Sequence, residues 1–118
     1  MVKVPVSILG GLPVIADVWF SGPDYYGEYD AGVDTLYWQK SDGAAGKEVS
    51  QTIYDRCHKF DEWWQASITE EASYWLGHHC PTRYRDPEAP GGYREEGEWS
   101  PEYIALNGDP RARQADLA

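Results

Sequence analysis

The sequence predicts an α+β domain: a three-stranded antiparallel meander packed on one bent or two tandem helices, followed by an irregular C-terminal tail. Three observations carry that expectation. Apolar residues alternate at period two through the N-terminal third, and they recur every three or four positions from Val49 to Trp75. Beyond Cys80, where five of the eight prolines lie, both rhythms stop.

In the first strand, Val2, Val4, Val6 and Ile8 alternate with Lys3, Pro5 and Ser7. Pro5 has no N–H to give a ladder, which places this strand at a sheet edge or leaves that side unpaired. Gly10-Gly11-Leu12-Pro13 is turn chemistry, so a hairpin loop of about four residues leads into a second strand from Val14 to Ser21. There Val14, Ala16, Val18 and Phe20 share a face. Gly22 to Gly32 reads as a loop. A third strand follows from Val33 to Gln39, and Ser-Asp-Gly within Lys40 to Lys47 makes another turn.

No glycine or proline interrupts Ser50 to Leu76. Val49, Ile53, Cys57, Phe60, Trp64, Ile68, Ala72 and Trp75 form one apolar stripe at helical spacing. Ser50 has the chemistry of an N-cap. One bent helix or two in tandem both fit, and Phe60-Asp61-Glu62, which resembles a staple and cap, favours two. Gly77 is expected to close the helix and Pro81 to prevent its resumption. The chain thus divides into a globular part over 1–80 and a Pro/Gly-rich acidic tail over 81–118. Within the tail, Ser100-Pro101 and Gly108 bracket a short helical turn near 100–107.

Charge decides which partners fit. Twenty acidic residues against ten basic ones give a formal net charge of −10. Gripping nucleic acid relies on Lys and Arg neutralising phosphates, so direct nucleic-acid binding is not expected. An acidic surface can instead occupy the basic groove of a nucleic-acid-binding protein, as a DNA mimic does. No run of about 18 apolar residues spans a membrane. The start lacks the h-region of a signal peptide, so the expected location is the cytoplasm, with two reduced thiols.

Aromatic residues make up 14% of the chain. Tyr25, Tyr26 and Tyr29 sit in the first loop beside Asp24, Glu28 and Asp30, a carboxylate rim around rings. Trp63, with Glu62, Glu70 and Glu71 nearby, forms a second such grouping on the helix. Aromatic anchors with polar surrounds are what protein interfaces use, so these ten residues are the expected contact surface for a basic protein partner.

Catalytic signatures are missing: no nucleophile elbow, no phosphate-cradling glycine loop and no HExxH helix. Cys57-His58 and His78-His79-Cys80 hold enough ligands for zinc, yet their spacing matches no finger pattern, and helical neighbours diverge by about 100°. No catalytic residue, metal ligand or cofactor is therefore assigned. A metal-binding or enzymatic domain using His58, His78, His79 and Cys80 stays open as the rival, as does a minor structural or assembly subunit.

Gly11-Leu12-Pro13-Val14 before a strand, the acidic loop, Tyr37-Trp38, and the tract from Ile53-Tyr54-Asp55-Arg56 to Glu71-Ala72 resemble small accessory proteins of tailed bacteriophages. The resemblance covers roughly residues 6–79 and rests on patterns rather than a motif, so it transfers no functional residue. It implies a phage-encoded inhibitor or modulator of a basic host protein, acting in the host cytoplasm.

Overall fold

The computed structural model describes residues 1–21 and 30–111. Four strands, β1 (Val2–Ile8), β2 (Leu12–Ser21), β3 (Asp30–Gln39) and β4 (Ala45–Glu48), form an antiparallel sheet in sequence order. Helices α1 (Gln51–Phe60) and α2 (Trp64–His79) follow in tandem. A hairpin of β5 (Thr82–Arg85) and β6 (Tyr93–Glu96) and a last helix, α3 (Pro101–Asn107), complete the chain.

The meander is therefore one strand longer than its sequence pattern. Residues 40–47 do make a turn, with Lys40 N–H donating to the Ala44 carbonyl and Gly43 N–H to that of Lys40. Its second arm then returns along β3, pairing Gln39 with Ala45 and Tyr37 with Glu48. A Cβ on Gly46 would lie 3.0 Å from the Trp38 carbonyl oxygen, so the close return favours glycine. The first hairpin is also tighter than expected. Gly11 N–H donates to the Ile8 carbonyl, and Leu9 (φ 51°) and Gly10 (φ 81°) occupy the two left-handed positions of the turn. Leu12 and Pro13 already belong to β2.

Val4, Val6, Ile8, Val14, Ala16, Val18 and Leu36 line one sheet face and pack with Val49, Cys57, Ile68 and Ala72. The alternation in β1 and β2 puts those side chains on one side, and the helical stripe supplies the other half of the core, except Phe60, which at the end of α1 stays exposed. Across the bulge where Asp17 pairs with Thr35 and Val18 with Val33, Asp34 is the extra residue. Leu36 N–H donates to the Tyr54 hydroxyl at 3.0 Å, tying α1 to β3.

β1 is an edge strand, as Pro5 implies. Lys3 N–H donates to Asn107 Oδ1 at 2.7 Å, and Asn107 Nδ2 donates to the Lys3 carbonyl at 2.9 Å. Ladder bonds alternate in direction along an antiparallel strand, so Pro5, two residues on, also faces the outer edge, where its missing N–H costs nothing.

The region after Cys80 is less irregular than its composition implies. Ser100 caps α3 by accepting from Tyr103 N–H at 3.1 Å, and Gly108 (φ 80°) ends it. Trp75 stacks on His79 with ring centroids 4.1 Å apart, and Trp75 and Trp99 each lie 6.4 Å from Tyr103. Two caps depart from expectation. Ser50 makes no side-chain cap bond to α1, and Gly77 lies inside α2, which continues to His79 because a helical glycine costs only about 1 kcal/mol relative to Ala.

Candidate functional site

Of the ten residues expected at a contact surface, Asp24, Tyr25, Tyr26, Glu28 and Tyr29 lie outside the described residues. Asp30 opens β3 opposite Ser21, and only its backbone is described. Glu62, Trp63, Glu70 and Glu71 are all exposed.

Glu70 and Glu71 lie on α2, Trp63 caps its start and Glu62 sits in the corner just before it. The helix buries Ile68 and Ala72 and half-buries Trp64, Trp75 and Leu76 against the sheet. Trp63 and Tyr74, eleven positions apart, are separated by about three turns and so fall on nearly one line, ~16 Å apart along the axis. That line is opposite Ala72. Trp63 is 70% exposed and Tyr74 71% exposed. Between them lie Ala66, Ser67, Glu70 and Ser73, all exposed, with Glu71 on the flank. Trp63 is held at the corner by its own N–H, which donates to Asp61 Oδ1 at 2.9 Å.

Charge on this face has one sign. The sequence of α2, WQASITEEASYWLGHH, contains no Lys or Arg. Neither Glu70 nor Glu71 forms an ion pair among the described residues, and Glu71 Oε1 accepts only a long bond, 3.4 Å, from Ser7 Oγ. Such carboxylates keep their charge free for a partner. With Trp64 and Trp75 on the apolar stripe, the sequence sets Tyr74 beside Trp63 at the helix margin, but Tyr74 was not among the ten expected contact residues; its eleven-residue spacing from Trp63 was the available signal.

The Cys/His groups are dispersed. Cys57 is buried on α1 and His58 exposed. His78 packs on Tyr74, His79 stacks on Trp75, and both cysteines are free thiols. Among the described residues no three His, Cys, Asp or Glu come together as a metal site. Burial raises both thiol pKa values, that of Cys80 to about 11, which disfavours the reactive thiolate.

One polar group looks closer to chemistry. His79 Nδ1 is hydrogen-bonded to Ser100 Oγ at 2.6 Å, and Glu102 Oε2 lies 3.8 Å away. A catalytic relay needs the acid and the nucleophile on opposite ring nitrogens. Here both face Nδ1, and the same Ser100 oxygen already caps α3, so the arrangement fastens α3 to α2.

On the other face of the sheet, where Ile15 is buried, Lys3 Nζ pairs with Asp17 Oδ1 at 2.9 Å and sits 5.2 Å over the Tyr37 ring. The Asp17 carboxylate, accepting from the Tyr37 hydroxyl, holds that phenol above its ordinary pKa, the reverse of activation.

No family model, curated protein or solved structure matches the chain. Among the described residues no helix is long and apolar enough to cross a membrane.

Proposed function

We propose that this chain is a small acidic, non-catalytic binding protein that docks on a basic protein and modulates it. One observation carries the reading: a helix face that displays Trp63 and Tyr74 to solvent, is flanked by Glu62, Glu70 and Glu71, and bears no Lys or Arg. Large aromatics are enriched among the anchors of protein interfaces, and two in line on one exposed helix face are placed to serve as such. The formal charge of −10 would steer a basic partner and disfavour self-association. In keeping with its likeness to phage accessory proteins, the partner is a host protein that handles nucleic acid, met in the host cytoplasm.

A pull-down with the intact chain, set beside two variants, tests this. The reading expects a basic protein captured at low salt and released by about 0.5 M salt, where screening shortens to a few ångströms. Glu62→Lys/Glu70→Lys/Glu71→Lys should abolish capture, and Trp63→Ala should weaken it by about 2 kcal/mol, roughly thirtyfold. Capture that is salt-insensitive, or equal for the triple variant, would sink the reading.

A further inference from the structure

Beside the α2 stripe, the surface opens into a cleft of about 120 Å³ between the β1–β2 turn and the α1–α2 corner. Ile8 and Leu9 line it from the sheet, and Cys57, Phe60, Trp64 and Ile68 from the helices. Phe60, 66% exposed, forms the outer wall, close enough to the turn that a Cβ on Gly10 would lie 3.7 Å from its ring. Among the lining residues Asp61 alone is charged.

Size limits what the cleft can hold. Apolar cavities of roughly 150 Å³ accept benzene, whereas drug-sized ligands and cofactors occupy about 300–1,000 Å³. A space of about 120 Å³ suits one aliphatic side chain.

Charge limits what can carry that side chain. Asp61 is at the cleft, Glu62 follows it, and Glu71 is bonded to Ser7, itself a lining residue. Round α1 from Cys57, Phe60 stands at about 60°, Arg56 at about 100° and Lys59 at about 160°, all in the same direction, so both cations lie outside the wall that Phe60 forms while the carboxylates line the inner rim. An acidic chain approaching this rim would be repelled.

The geometry points to the cleft as the seat for one aliphatic anchor, of leucine or isoleucine size, on a Lys/Arg-rich segment of the protein partner. This rests on the reading of the chain as an acidic partner of a basic protein, and it adds the point of attachment. The anchor enters between Leu9 and Phe60, and its basic neighbours meet Asp61, Glu62 and Glu71.

The test is a titration of the isotope-labelled full chain, at low salt, with three synthetic peptides: a lysine-rich one carrying a single central leucine, the same peptide with alanine there, and a glutamate-rich counterpart with the leucine. The leucine peptide should shift the amides of Leu9, Gly10, Phe60 and Ser67 and bind at least tenfold tighter than the alanine peptide. The glutamate peptide should not bind. Ser67→Phe, which places a ring from an exposed position into the cleft, should cut the leucine preference below threefold while leaving the melting temperature within a few degrees. Equal affinity for leucine and alanine, shifts elsewhere, or binding of neither lysine peptide overturns the proposal. So does a dimer of the free chain that Ser67→Phe dissolves, since the occupant would then be a second copy. If the cleft fails while capture of the partner still requires Glu70 and Trp63, the function stands without it.

Discussion

Asn107 closes the sheet edge with a single amide, donating to one backbone group of Lys3 and accepting from the other. Both bonds link positions more than a hundred residues apart, so the contact also fastens α3 to β1. Asn107→Ala should lose about 1–2 kcal/mol in a denaturant titration, since two half-buried backbone groups return to water. It should also raise the chain's tendency to associate, because the edge of β1 becomes available for pairing. At Cys80, burial pushes the thiol up to about 11. The folded state therefore holds this proton more tightly than the unfolded chain, whose thiol titrates near 8.5. The resulting stability is complete below that value and is lost as pH rises from about 9 to about 11. At pH 8, both native thiols should react with a disulfide-exchange reagent at least tenfold more slowly than in denaturant, and rapid native labelling would contradict this.

Two glycines show how an element's surroundings decide the effect of one methyl group. Gly32 lies opposite Trp19 across the β2–β3 ladder, and a Cβ there would fall 2.6 Å from three atoms of the indole. The indole, 48% exposed, can swing aside, so Gly32→Ala should cost no more than about 1 kcal/mol in thermal unfolding, through the lost ring contact. Gly77 sits in the interior of α2 with nothing within 4 Å of an added Cβ. Gly77→Ala should stabilise the fold by about 0.5–1 kcal/mol through helix propensity alone. The helix is otherwise unusual in carrying aromatic rings on both sides, Trp64 and Trp75 inward, Trp63 and Tyr74 outward. A helix that only had to cover a sheet would not need the outward pair.

At the scale of the whole molecule, repulsion among twenty acidic groups opposes the compact state. Ion pairs such as Lys40–Asp42, Arg94–Glu96 and Arg111–Glu98 are exposed and return little. Added neutral salt should therefore raise the melting temperature, by a few degrees between about 0.02 and 0.5 M, as screening shortens the repulsion. A fall would mean that specific pairs such as Lys3–Asp17 outweigh the net charge.

The α+β class, the first three strands, the tandem helices, the capped turn at Ser100 and the acidic balance were legible in the residues, because periodicity, capping and charge are properties of neighbours in sequence. β4 was not: Ala45–Glu48 is too short for a pattern and exists because β3 offers it an edge. The same limit applies to the site. The apolar stripe set Trp64 and Trp75 inward, but how far Trp63 and Tyr74 stand open to solvent depends on where the sheet covers the helix. Asn107 on Lys3 and the cleft at Phe60 depend on contacts between distant segments, which local spacing does not encode.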